Sequence, residues 1–278
     1  MLARLESLIL DNPRLVVLTG AGISAPSGIP TYRNDAGEWQ RSDPIQHQDF
    51  ISRAAARQRY WARSMAGWRY VADSRPNRAH RALVELESAG YIELLATQNV
   101  DRLHQRAGQR TVVDLHGRLD RVRCMDCGDD QSREALQEEL QTLNPAWHSQ
   151  VVEQRPDGDA EVDDAVVARF RVPQCRRCTG VLMPDVVFFG GSVPRPRVQQ
   201  ISDAIERADA LLVVGSSLNV FSGFRFCRQA HRQGKPLAII NRGQTRADEL
   251  AEVKVSADCE DSLTQLANSL GRASVRAL

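Results

Sequence analysis

Residues 15–22 read LVVLTGAG, a short apolar run that ends in Thr19, Gly20, Ala21 and Gly22. Apolar residues in a row, without alternation, predict a strand covered on both faces, as in a parallel sheet beneath helices. The same form returns at Ile92 (IELLATQNVD), Ala210 (ALLVVGSS) and Pro236 (PLAIIN), with a weaker fifth run at Ala251 (AEVKVSAD). Helical patterns lie between them: RAHRALVELESAG before the second run, RVQQISDAIERADA before the third and FSGFRFCRQAHRQG before the fourth. Gly90 and Gly234 stand where two of these helices should stop. Strand and helix in alternation predict an α/β fold, a Rossmann-like doubly wound parallel sheet.

The strand ends carry the functional signal. After the first come Thr97-Gln98-Asn99, Gly215-Ser216-Ser217 and Asn241. Ligands of open α/β sheets bind outside the carboxyl ends of the strands, so these ends describe one crevice. Ordinary turn chemistry explains any one end, and explains all four together less well.

GAGISA, Gly20 to Ala25, fits the dinucleotide pattern G-x-G-x-x-[GA]. Glycines let the backbone approach a pyrophosphate, and the N–H groups of a helix start stabilise its charge. A dehydrogenase should then show a second strand ending in Asp or Glu about 20 residues on. Here the chain runs instead into APSGIPTYRNDAGEWQ, with no strand pattern. Hydride transfer is disfavoured, and a dinucleotide used in another way stays open. The loop from Pro26 to Gln40 carries Tyr32, Arg33 and Trp39, which suit a lid over a ligand better than a loose tether.

The 278 residues allow one large domain or one domain with a smaller insertion, and a net charge of +1 gives no general attraction to nucleic acid or an anionic membrane. Lysine occurs only at Lys235 and Lys254. Coding bias explains that, and a sharper reading is a surface that avoids the residue on which the protein acts. No segment reaches the ~18 apolar residues of a membrane span. MLARLESLILDNP at the start reads as an amphipathic helix with Leu2, Leu5, Leu8 and Ile9 on one face, without the pattern of a secretory signal.

Of six cysteines, four form two C-x-x-C pairs, which favours metal over disulfides and a reducing cytoplasm; a mitochondrial matrix setting would need a removed leader. Cys124, Cys127, Cys175 and Cys178 make a complete thiolate set for a closed, structural zinc site. The gap from Gly128 to Gln174 must form its own excursion, helical in REALQEELQTL and acidic in RPDGDAEVDD. With the tetrahedron filled, His116 is not needed as a ligand, and no open metal position remains for catalysis. Cys227 reads as a small buried residue on a helix.

GAGISAPSGIPTYR, TQNVDRLH, DLHG, the two C-x-x-C pairs, PDVVFFG, VVGSSLNV and INRG, in this order, resemble the sirtuins, the NAD-dependent protein-lysine deacylases. The resemblance runs from about Leu15 to Cys259. PIQHQDF, RQRYWAR, LNPAWHS, PDVVFFGG and the long insertion resemble class II, the branch of the mitochondrial class II sirtuin and its bacterial relatives.

That resemblance implies NAD as co-substrate and one structural zinc ion. It implies that Gly20, Ala21, Gly22, Ser24, Thr31, Tyr32 and Arg33 hold the NAD phosphates and cover the nicotinamide ribose. Gln98, Asn99 and Asp101 would line the nicotinamide and ribose pocket, and Gly215, Ser216, Ser217, Asn241, Arg242, Gly243 and Cys259 the adenosine half. His116 and Asn99 would be catalytic. Val186, Val187, Phe188, Phe189 and Gly190 would pair with the substrate backbone as an added strand. The implied domains are a Rossmann-like NAD domain (1–35, 84–118 and 181–278) and a small helical and zinc-binding domain (36–83 and 119–180).

The implied reaction begins as an acyl-lysine carbonyl oxygen attacks the anomeric carbon of NAD and expels nicotinamide. His116, titrating near neutrality, would then act as base on a ribose hydroxyl. Products would be free lysine, nicotinamide and 2′-O-acyl-ADP-ribose. Two rival activities stand beside this one: protein mono-ADP-ribosyltransfer, and a non-catalytic sensor of NAD or ADP-ribose. The expected partners are acyl-lysine proteins or peptides, with no nucleic acid or membrane, for a monomer. Two departures from the family stand out. Gly191 follows Gly190 where an acidic residue is common. Arg102 replaces a small residue and is expected to point to solvent. Tyr60 and Arg63 form a Y-x-x-R pattern that would clamp an acidic acyl group; the bland alternative is a surface arginine on an amphipathic helix.

Overall fold

The computed structural model describes residues 1–31, 44–145 and 167–276. Leu15–Thr19 forms β1, buried at every residue. It lies at the middle of a six-stranded parallel sheet. On one side stand β2 (Ile92–Thr97) and the short β3 (Val112–Asp114). On the other stand β7 (Ala210–Val214), β8 (Leu237–Ile240) and β9 (Val253–Val255). The order is β3-β2-β1-β7-β8-β9. β3 is only three residues long, and no sequence pattern announced it.

Alternate residues of β1 serve two cores. Leu15 and Val17 face a cluster with Leu5 of α1 (Leu2–Asp11), Leu83 of α4 (Arg78–Ser88) and Leu263 of α9 (Cys259–Arg276). Val16 and Leu18 face Ile201 and Ile205 of α7 (Arg195–Arg207) and Phe226 of α8 (Phe221–Arg232). Burying one such side chain contributes about 1.5–3 kcal/mol, so the unbroken apolar run follows from having helices on both faces. Cys227 is fully buried on α8. Gly90 and Gly234, at φ 87° and 66°, let the chain turn after α4 and α8 in the left-handed region.

A second, antiparallel sheet has the order β5-β4-β6, from β4 (Gly117–Cys124), β5 (Asp130–Ser132) and β6 (Leu182–Val186). It packs with α2 (His47–Ser52), α3 (Ala54–Asp73) and α6 (Arg133–Leu143) around Phe50, Trp61, Val122, Leu136 and Leu140. Arg133 is buried between Trp61 and Trp68, its guanidinium carbon 5.7 and 5.1 Å from the ring centroids. Two packing relations differ from the expected domain limits. Ala79, Ala82 and Leu83 of α4 already belong to the core of the large sheet. Residues 182–186 pair with β4 rather than with the large sheet. Among the described residues, no helix is long and apolar enough to cross a membrane.

Candidate active site

The chain leaves β1 to build β2 and β3 on one side, then returns to build β7 on the other. This change of direction opens a crevice at the carboxyl ends of β1 and β7. There the two strand ends touch. Gly20 donates its N–H to Val214 O at 3.1 Å, and Gly22 donates to Gly215 O at 2.8 Å. A Cβ on Gly20 would lie 2.7 Å from Ser216 Cβ, and one on Gly22 would lie 2.9 Å from Gly215 Cα. The glycines are therefore required by backbone approach. GAGISA does not open an α-helix, however. It turns through two short 3₁₀ segments, Ala21–Ile23 and Ala25–Ser27, and Gly28 ends them at φ 86°.

A cavity of about 720 Å³ fills the crevice. Gly20, Ala21, Gly22, Ser24 and Thr31 line it from the β1 side. Gln98, Asn99, Asp101 and His116 line it from the β2 and β3 side, and Gly215, Ser216, Ser217, Asn241 and Gly243 from the β7 and β8 side. Val186, Val187, Phe188, Phe189, Gly190 and Tyr60 line the part nearest the small sheet. Arg242 and Cys259 do not line it. Arg242 is exposed and pairs with Asp258 at 2.8 Å. Cys259 is buried at the start of α9, and burial pushes its thiol up to about 12. Tyr32 and Arg33 lie outside the described residues.

Polar side chains knit the strand ends together. Gln98 donates through Nε2 to Ser216 Oγ (2.7 Å) and Thr19 O (3.2 Å). Asn99 donates to Gly20 O and Ser24 Oγ. Ser24 in turn donates to Asp101 Oδ2 at 2.7 Å. Burial raises the carboxyl pKa of Asp101.

His116 sits in the turn between β3 and β4. Its Nδ1 is 3.0 Å from Gln98 O, and its Nε2 is 2.7 Å from Ser222 Oγ. A carbonyl only accepts, so Nδ1 carries the proton and Nε2 presents a lone pair. Burial lowers the imidazole to about 4, which replaces the near-neutral value expected of an unperturbed ring. Ser222 escaped the sequence reading, as did Phe221, Arg195, Arg225 and Ile45, which also line the cavity. The available signal for Ser222 was its place at the helix start that follows the third polar strand end.

Arg102 does not point to solvent. It pairs with Asp114, and its own backbone sits at φ 66°. Desolvation is offset by a carboxylate, so the side chain folds inward. Arg63 is buried on α3 rather than lying at the surface, and Tyr60 packs edge-on to Phe188. The segment proposed for the substrate backbone is partly engaged: Val187 donates to His116 O and Phe189 O accepts from His47, both at 2.8 Å.

The four cysteines gather away from this network, with their sulfurs all within 4.8 Å of one another. Cys124 and Cys178 are 3.5 Å apart, and Cys127 and Cys175 are 3.7 Å apart. Those separations are too long for disulfides and suit the edges of a tetrahedron with ~2.3 Å zinc–sulfur bonds. Hydrogen bonding, led by the Cys127 N–H, lowers the Cys124 thiol to about 7. The neighbouring cysteine side chains, Cys127 foremost, push Cys178 up to about 12. Four thiolates this close need a cation to ionise together, and the set fits zinc. Among the described residues, no histidine joins the group.

The sheet order, the glycine cradle and the thiolate cluster define a nucleotide-binding α/β protein with a structural metal module. The chain belongs to the Sir2 family, whose model matches residues 20–222. It is 52% identical over 265 residues to an NAD-dependent protein deacetylase of Bordetella bronchiseptica, covering 95% of this chain and 97% of the relative. It is 46% identical over 266 residues to the NAD-dependent protein deacylase Sirt4 of Drosophila melanogaster, covering 95% and 85%. A solved Sir2 complex with a p53 peptide and NAD⁺ superimposes with a TM-score of 0.75 at 28% identity, covering 98% of this chain and 99% of that one.

Proposed function

We propose that the protein is an NAD-dependent protein-lysine deacylase in which His116 is the general base. The observation that carries this reading is the fixed imidazole: Nδ1 is tied to Gln98 O inside a cavity that the glycine cradle closes on the other side. Bound NAD would supply an anomeric carbon that loses nicotinamide when an acyl-lysine carbonyl oxygen attacks it.

The cradle fits that co-substrate. Gly20 and Gly22 leave backbone open where any Cβ would collide with the neighbouring strand end. Ser24, Asn99 and Asp101 form a hydrogen-bonded set that would orient the ribose and nicotinamide side. Val187 to Gly190 would hold the substrate backbone. His116 is neutral throughout the physiological range because burial keeps its pKa near 4. A base so buried is weak, and close contact with the proton donor offsets that weakness. Cys124, Cys127, Cys175 and Cys178 would hold zinc as a structural link beyond the reach of the chemistry.

The test is turnover of an acetyl-lysine peptide with NAD labelled in the adenosine part. Nicotinamide release with label in a small acyl-ADP-ribose supports the proposal. Label fixed on protein would replace it with ADP-ribosyltransfer, and binding without nicotinamide release would replace it with a sensor.

A further inference from the structure

We propose that Ser222 relays the proton to His116: the substrate hydroxyl that the base activates meets Ser222 Oγ first. This rests on the deacylase reading and adds a catalytic residue to it. A neutral imidazole whose Nδ1–H is tied to Gln98 O has a single lone pair left, at Nε2. Ser222 Oγ is 2.7 Å from that nitrogen and donates to it. The acceptor on the ring is therefore already taken. The hydroxyl of Ser222 keeps its own lone pairs, and Ser222 lines the cavity.

Ser222 is held in this place by the packing of α8. Its neighbour Gly223 lies so close to Gln98 that a Cβ there would be 2.7 Å from Gln98 Oε1. Gln98 thus fixes both partners. Its carbonyl orients His116, and its side chain abuts the helix start that carries Ser222. The charge that acts on the ring is Arg197 of α7, which pairs with Asp185 of β6 at 3.5 Å, and Arg225 of α8 lines the same cavity.

The step balances without a further reactant. The substrate O–H bond breaks and its proton passes to Ser222 Oγ. The proton of Ser222 passes to Nε2, and the ring becomes an imidazolium that still donates through Nδ1. The substrate oxygen uses its electron pair to bond the acyl carbon, whose π bond to the lysine nitrogen breaks and leaves its pair on that nitrogen.

Ser222→Ala and Ser222→Thr test the relay by two rates measured on the same enzyme. One is formation of the acyl-ADP-ribose product. The other is exchange of labelled nicotinamide into NAD, which reports bond cleavage before any hydroxyl proton moves. Ser222→Ala is expected to slow product formation about 100-fold, as loss of a general-base path does. Exchange should fall far less, changing the ratio of the two rates by roughly tenfold or more. Ser222→Thr, which keeps a hydroxyl, should recover most of product formation. The relay is overturned if Ser222→Ala forms product as fast as the parent, or if both rates fall together. A parent enzyme that forms no acyl product would instead sink the deacylase reading.

Discussion

Arg102 pairs with Asp114 across the mouth of the β3–β4 turn, two residues before His116. Asp114 also accepts from Gln105 Nε2 at 2.8 Å. Burial raises the carboxyl pKa of Asp114, and the Arg102 charge is the largest opposing effect. The pair comes with backbone strain, since Arg102 caps α5 (Leu103–Ala107) at φ 66°.

Arg102→Gly and Arg102→Ala separate those two effects. Both variants lose the ion pair, and only glycine accepts the left-handed backbone freely. Arg102→Gly should be the more stable of the two by about 1 kcal/mol in urea denaturation. Equal stabilities would mean that the strain is absent in solution.

His116→Ala should reduce product formation at least about 100-fold while the protein keeps its zinc and its Tm. Cys127→Ser should do the opposite to the metal: zinc falls out of stoichiometry and Tm drops. Metal content by atomic emission checks both. Loss of zinc from His116→Ala would return that histidine to the ligand shell.

Stability should fall as pH drops from about 6.5 to about 4. His80 and His104 are buried with ring centroids 4.8 Å apart. Burial, then the Arg81 charge, lowers His80 to about 4, and burial holds His104 well below its ordinary value. In that window the unfolded chain binds protons that the folded one refuses, so the stability present above 6.5 is lost on acidification. His80 alone would contribute roughly 3 kcal/mol by pH 4. Urea titrations at pH 7, 5.5 and 4.5 should show the decline, with a shallower slope in His80→Gln. An unchanged slope would remove His80 from this account.

Tyr60 and Arg63 bear on acyl choice. Tyr60 lines the cavity, and Arg63 lies one turn further along α3. If they clamp a carboxylate, Arg63→Gln should cut kcat/KM for succinyl-lysine peptides about tenfold more than for acetyl-lysine peptides, the discrimination expected of a charge-assisted pair. Equal losses would reduce Arg63 to a packing residue.

Much of this was legible in the chain itself. The runs at Leu15, Ile92, Ala210 and Pro236 became β1, β2, β7 and β8, because an unbroken apolar run records burial on both faces. Each C-x-x-C turn brings two sulfurs together locally, and the pairing of β4 with β6 then brings the two turns to one another. β3 was hidden because three residues carry no period. Arg102 was misjudged because a charged residue reads as exposed unless its partner, twelve positions away, is known.

What sequence pattern could state, then, is which faces are buried, which loops need glycine and which thiols come in chelating pairs. Each is a property of neighbours along the chain. The titration of His116, the inward turn of Arg102 and the placement of Ser222 on Nε2 were settled only by folding. Ser222 and His116 are 106 residues apart, and the 2.7 Å contact exists because Gly223 lets α8 close onto Gln98. The desolvation of a polar side chain and its long-range contacts set its chemistry, and neither is encoded in its immediate neighbours.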